Sequence, residues 1–365
     1  MKVTVPHLGN VYIAAKALFE GLGVEYVIPP LNSRDALEIG SLYSPEEICL
    51  PFKIMLGNYI QAIEQGADTV IVTGSCGPCR FGEYCEMHMK LLRRLGYDVD
   101  FIVIDAPKAI GMKELAARLS RVAESSPLSG RQKWRALLQA LKIMQLLDSI
   151  EAKAHDKAGY EKVKGTCRRL LNECRQKTYS CETPERMIEC LHDYSRMIDG
   201  TPCDNDANPL KIAVIGEIYT IIEPFSNLYI EDKLMNMGIS TRRLLTPSWW
   251  VKNTLLSPLR LNSPGIRRAS RDYLPYSIGG HARECIGEAV LSWKSGFDGA
   301  IQVFPMGCMP EIVSKTILPS VARDKDFPVL TLVVDEMTGE AGYITRIEAF
   351  ADMLERRRSH DVSRS

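Results

Sequence analysis

Four cysteines sit at matching points in two stretches of this chain, and clustered thiols are the ligands that soft metal centres take. The first stretch has Cys49 in CLPFK, then GADTVIVTGSC ending at Cys76. The second has Cys285 in ECIGEA, then GFDGAIQVFPMGC ending at Cys308. In each, a cysteine opens a helical run that ends at Gly-x-Asp. An apolar strand follows, and a second cysteine leaves its carboxyl end. Open parallel sheets bind ligands at that end of their strands. Two such halves facing one another would bring all four thiols to one cleft, and the chemistry expected there is an iron–sulfur site.

The segment SCGPCRFGEYC adds Cys79 and Cys85 to Cys76, with Gly74, Gly77 and Gly82 allowing tight turns that aim amides at cluster sulfides. Cys76-x-x-Cys79 alone is a weak signal. A zinc ribbon needs a second such pair, and none follows, whereas a thiol–disulfide enzyme using Cys76 and Cys79 stays open. Cys49, preceded by Pro45-Glu-Glu and followed by Pro51, reads as the first turn of a helix, and Cys285 lies near another helix start. Helix N-termini favour thiolate and hence metal ligation.

The other cysteines read as packing. Cys167, Cys174 and Cys181 are spaced along one helical stripe, and with Cys190 and Cys203 they are expected as partly buried thiols. His7 with Asn10, Glu217 with Tyr219, and Asp335 with Glu336 leave strand ends, where Glu217 reads either as a proton donor or as a simple hydrogen-bonding group. His281 precedes Cys285 by a helical turn. Neither a G-x-x-x-x-G-K-[ST] loop nor a G-x-G-x-x-G fingerprint occurs, which argues against ATP or NAD held by those modes.

The elements that must position these residues also repeat. One series has strands near Lys2–Val5, Val24–Ile28 and Phe101–Asp105, with helices through Ala14–Gly21 and Ile54–Gln65. The other has strands at Lys211–Gly216, Ser240–Leu245 and Val329–Asp335, with helices through Tyr229–Met237 and Gly287–Lys294. Continuous β-branched runs separated by helices suit parallel sheets buried on both faces. The expected class is therefore α/β: two similar lobes with parallel sheets flanked by helices, plus a helical insert. The lobes are placed at 1–107 and 209–355, the insert and linker at 108–208, and a frayed polar tail at 356–365. In the insert, Trp134, Leu137, Leu138, Leu141, Met144, Leu147 and Ile150 recur at helical spacing.

The 365 residues are enough for two cores, and 45% hydrophobic with 25% charged residues is ordinary globular composition. A formal net charge of zero argues against a nucleic-acid partner. No apolar run approaches the roughly 20 residues that span a bilayer, so no membrane partner is expected. The opening MKVTVPHLGN reads as a strand rather than a signal peptide, which makes the cytoplasm the expected location. Eleven cysteines in a chain of this size fit metal or redox chemistry better than a disulfide scaffold.

CLPFK at Cys49, GSCGPCRFGEY around Cys76, FPMGCMPE around Cys308 and TRIEAFADML at Thr345–Leu354 together resemble the 2-hydroxyacyl-CoA dehydratase and benzoyl-CoA reductase superfamily. More narrowly, they are similar to its activase-associated, dehydratase D-component-like members. The resemblance covers both lobes and only loosely the insert. It implies a 4Fe–4S cluster between two similar lobes, held by Cys49, Cys76 and Cys308. It also implies an ATP-hydrolysing activator protein that delivers a low-potential electron, and a homologous subunit or a homodimer. In the dehydratase version that electron reduces an acyl-CoA thioester so that a β-hydroxyl can leave.

Cys79 and Cys285 depart from the simple pattern. With Cys285 as a fourth thiolate the cluster would be closed. With Cys79 and Cys85 as well, the set would suffice for the 8Fe–9S double cubane of related reductases of small molecules. Burial, thiolate ligands and few nearby positive charges are expected to keep the potential low. A non-catalytic scaffold tied by a structural metal such as zinc is the remaining alternative.

Overall fold

The computed structural model describes the chain apart from residues 75–78, 106, 205, 260 and 363–365 and the side chains of 107–109, 361 and 362. The described residues form two compact units. The first holds Met1–Ile150, Asn172–Arg196 and Thr246–Asn262, and the second Glu151–Leu171, Met197–Leu245 and Ser263–Ser365.

The first unit is built on β1 (Val3–Thr4), α1 (Val11–Leu22), β2 (Tyr26–Val27), α2 (Arg34–Tyr43), α3 (Leu50–Glu64), β3 (Thr69–Thr73), α4 (Tyr84–Arg94), β4 (Asp100–Ile104) and α5 (Pro107–Val122). Its four strands are all parallel, in the order β2-β1-β3-β4. Three helices follow: α6 (Gly130–Lys157), α7 (Thr166–Ser180) and α8 (Pro184–Asp199). The boundary between the units falls inside each of them, so the helical middle is shared out along the chain.

The second unit continues with β5 (Lys211–Gly216), α9 (Ile218–Ile222), α10 (Ile230–Asn236) and β6 (Ser240–Arg242). After α11 (Pro247–Leu256) come α12 (Pro264–Ser270), α13 (Ala282–Lys294), β7 (Gly299–Pro305), α14 (Met309–Lys325), β8 (Val329–Val334) and α15 (Glu340–Val362). Its sheet repeats the arrangement, parallel throughout, as β6-β5-β7-β8. The α/β class with two parallel sheets flanked by helices is thus observed.

The repeat holds at the level of register. Val3 pairs with Thr69, and Ile212 with Gly299. The Gly-x-Asp that ends each preceding helix has a physical role. Gly66 and Gly296 adopt φ of 92° and 73°, which stops the helix. Two residues on, Asp68 accepts from the Lys2 amide at 2.8 Å and Asp298 from the Lys211 amide at 2.7 Å. Each acid thus anchors the start of its first strand to the start of its central one.

Helix α3 is buried at every residue from Leu50 to Ile60, which only a helix enclosed on all sides can sustain. Glycines let its partner approach: a Cβ on Gly57 would sit 1.8 Å from the Ala36 carbonyl oxygen, and one on Gly40 1.7 Å from that of Lys53. In the second unit Gly287 of α13 does the same against Ile266 of α12.

Two expectations change. The buried seam of α6 is Ala136, Ala140, Ile143, Leu147 and Ile150, whereas Trp134 is 61% and Leu138 48% exposed. Ala136 and Ala140 take the amino-terminal part of the seam in place of Trp134 and Leu138, while Leu147 and Ile150 are buried in it as the spacing suggested. The tail expected to fray is helical to Val362, because Arg358 grips Asp298 through Nε at 2.6 Å and Nη2 at 2.7 Å, and donates to the Asn208 carbonyl at 2.8 Å. Among the described residues, no helix is long and apolar enough to cross a membrane.

Candidate functional site

In both sheets the strand order reverses beside the first strand, between β1 and β3 and between β5 and β7. Loops leaving the carboxyl ends of strands at such a point form the ligand crevice of open parallel sheets. Among the described residues, Cys79 comes after β3 on the way to α4, and Cys308 comes after β7 behind Met306 and Gly307.

In the first unit Cys49 is the N-cap of α3, with Pro51 in the first turn, and is 6% exposed. Its sulfur accepts a hydrogen bond from Arg80 Nη2 at 3.1 Å, while Arg80 Nη1 donates to the Glu47 carbonyl at 3.3 Å. Arg80 opens a single 3-10 turn, Arg80–Glu83, whose N-cap is Cys79. The segment after β3 and the start of α3 are therefore tied at the thiol itself. The guanidinium and the helix N-terminus both place positive potential at the sulfur. Cys76 lies outside the described residues. On the strand side of it, Gly74 is required by space, since a Cβ there would meet Asp105 Oδ1 at 1.7 Å. Asp105 is held by Arg118 Nη1 at 2.7 Å. Cys85, half-buried in the first turn of α4, has its thiol pushed up by burial and by the nearby Asp105 and Glu86.

Cys308 in the second unit caps α14 as Cys49 caps α3, with Pro310 in the first turn and the same 6% exposure. Gly307 precedes it at φ 74°, and the Cys308 amide donates to the Pro305 carbonyl at 3.1 Å. The chain thus turns sharply from strand into helix at the cysteine.

Cys285 does not share the place of Cys49. Counted back from the common register, it stands level with Met55, while Gly279 stands level with Cys49. It lies one turn inside α13, fully buried in an apolar cluster with Ile215, Ile286, Ala289 and Leu318. Burial pushes its thiol well above the ordinary range, and the Glu311 carboxyl beside it pushes the same way. A thiol so placed favours its protonated form.

Two further acids are buried here. Glu311, in the first turn after Cys308, is raised to about 7, chiefly by burial; Gln302 Nε2 donates to its Oε2 at 2.9 Å and opposes the shift. Glu288 is 1% exposed, neither of its carboxylate oxygens has a hydrogen-bond partner, and burial with Glu284 and Glu311 nearby raises it strongly. The spacing ECIGE, which puts Glu284 and Glu288 on one helical face, and the acid three residues after Cys308 were the sequence signals for this group. Neither they nor Arg80 stood out as site residues in the sequence.

The remaining strand-end residues serve local structure. Glu217 caps α9, its oxygens accepting from the amides of Tyr219 at 3.0 Å and Thr220 at 2.8 Å. Asp335 Oδ1 accepts from the Met337 amide at 2.9 Å and the Thr338 hydroxyl at 2.8 Å. His7 is buried with Nε2 at 2.7 Å from the Pro29 carbonyl, and burial holds its pKa below the usual value. His281 is the N-cap of α13.

Among the described residues, no group of three His, Cys, Asp or Glu side chains is placed to hold a metal ion. The chain matches no protein-family model and no curated protein.

Proposed function

We propose that this chain is an iron–sulfur protein of the 2-hydroxyacyl-CoA dehydratase and benzoyl-CoA reductase type. In this reading it passes low-potential electrons from an ATP-hydrolysing activator protein to a substrate or partner subunit. The observation that carries the reading is the matched placement of Cys49 and Cys308. Each is the N-cap of a long helix, each is almost buried, and each belongs to a unit whose parallel sheet has the same strand order. A 4Fe–4S cluster held by such thiolates supplies one-electron chemistry at low potential.

The donor set fits that group in part. Cys49, Cys76 and Cys308 are the ligands proposed, and Cys79 is the fourth candidate, since it caps the turn whose Arg80 meets Cys49. Cys285 fits poorly, because a core thiol beside Glu311 holds its proton. The chain's own contribution is to fix Cys49 and Cys308 at helix N-termini, where the aligned peptide dipoles favour negative charge. Arg80 adds a full positive charge at Cys49, contrary to the expected scarcity of such charges, and this moderates how far the potential can fall.

Iron content of single Cys→Ser variants, reconstituted anaerobically, tests the ligand set. Cys49→Ser, Cys76→Ser and Cys308→Ser are expected to lose most of the iron that the parent chain holds, and Cys285→Ser to keep it. Full iron in the first three, or its loss only in Cys285→Ser, would contradict the assignment.

A further inference from the structure

Three cysteines of the helical middle gather in the first unit around one threonine. Thr178, on the last turn of α7, has its Oγ1 4.0 Å from Cys174 Sγ and donates to Cys190 Sγ of α8 at 3.6 Å. Cys181, just past the end of α7, donates its thiol to the Lys177 carbonyl at 3.3 Å and its amide to the carbonyl of Thr178 at 3.2 Å, the same residue whose hydroxyl meets Cys190, and its thiol lies near that of Cys190. The three differ in access. Cys174 is fully buried, whereas Cys181 and Cys190 are both partly open to solvent and reduced.

We propose that Cys181 and Cys190 form a reversible disulfide site, closed by thiol–disulfide exchange with a low-molecular-weight disulfide. A thiolate of the pair attacks one sulfur of that disulfide and displaces the first small thiol. The second cysteine of the pair, as thiolate, then attacks the mixed disulfide at the protein sulfur and displaces the second. Two cysteine thiols are oxidised to one S–S bond, the small disulfide is reduced to two thiols, and the protons released by the pair end on those thiols. Lys16 and Arg186 lie close enough to Cys181 to favour its thiolate, against the burial and the Cys190 neighbour that disfavour it.

The bridge would staple the turn between α7 and α8. That turn is already docked: Lys16 of α1 donates to the carbonyls of Tyr179 and Cys181, and the Tyr179 ring meets Tyr12 at 5.3 Å. Tyr12 in turn meets His7, which leaves β1, at 5.2 Å. Oxidation at the turn therefore reports on, and stiffens, the support of α1 in this unit.

The native full chain, treated with oxidised glutathione, alkylated and digested with trypsin, gives the test. The three cysteines fall in separate tryptic peptides: LLNECR, TYSCETPER and MIECLHDYSR. The expected product is TYSCETPER linked to MIECLHDYSR, released by reductant and missing in Cys181→Ser. It should form roughly tenfold faster than in urea-unfolded chain, because folding raises the effective concentration of the two sulfurs. Alkylation of both cysteines in the native chain, a Cys174–Cys190 link instead, or pairing no faster than in the unfolded chain would overturn the proposal.

Discussion

Arg80 Nη2 donates to Cys49 Sγ at 3.1 Å, joining the turn after β3 to the N-cap of α3. A cation in contact with a thiolate ligand stabilises the more negative, reduced state of any centre the thiolate holds. Replacing it by Arg80→Gln is expected to lower the midpoint potential of the reconstituted protein, read by redox titration of the visible spectrum. An unchanged or raised potential would remove Arg80 from the account.

Buried charge in the second unit makes a separate prediction. Arg243 donates to Glu151 at 2.6 Å and faces Glu231 at 3.1 Å, and Glu231 also meets His155 Nδ1 at 3.1 Å. Arg243→Met leaves two buried carboxylates short of their cation, a change that costs about 3–5 kcal/mol in comparable buried pairs. Urea denaturation should show a loss of that order.

The same network gives stability a pH dependence. Although burial opposes it, the two glutamates hold His155 above its ordinary value of 6.5. A raised folded-state pKa means that the contribution is complete below pH 6.5 and is lost as pH rises through the folded value. His155→Asn is expected to flatten the unfolding free energy in that window. An equally steep profile in the variant would contradict it.

Glu311 acts with the same sign for a different reason. Its folded pKa of about 7, against an ordinary 4.5, means the folded chain binds more protons than the unfolded chain between those values. Stability falls as pH rises through that window, by up to ~3 kcal/mol at ~1.4 kcal/mol per pKa unit. Glu311→Gln keeps an oxygen for Gln302 Nε2 and should remove most of the slope, measured by denaturation at pH 5 and 7.5.

Helix contacts through glycine are intolerant of a methyl group. Gly57→Ala would press a Cβ to 1.8 Å from the Ala36 carbonyl oxygen, whereas Gly287→Ala meets the Ile266 side chain at 2.7 Å and carbonyl oxygen at 2.8 Å. Overpacking typically costs about 1–3 kcal/mol and more where backbone must move. Gly57→Ala should therefore lower the melting temperature more than Gly287→Ala.

The repeat was legible because Gly-x-Asp followed by a β-branched run has one structural meaning, a helix stop followed by an anchored central strand, and it recurs at Asp68 and Asp298. Cys49 was legible as a helix start because proline follows it closely, whereas Cys308 was legible only as the residue leaving its strand, although Pro310 stands in the same relation to it. Cys285 misled the comparison, since both helices run into the same Gly-x-Asp but their cysteines stand six residues apart when counted from it. The α6 seam was legible only toward its carboxyl end, at Leu147 and Ile150, because the alanines at 136 and 140 carry little hydrophobic signal even where close packing needs them. Arg80 and the buried acids depend on what lies opposite them in space, which no spacing along the chain encodes.

The most direct test of the central claim is iron and acid-labile sulfide per chain after strictly anaerobic purification, with a visible spectrum of the same sample. The account predicts about four of each and broad absorption near ~400 nm, as for one cubane. A colourless protein that takes up no iron on reconstitution would contradict it.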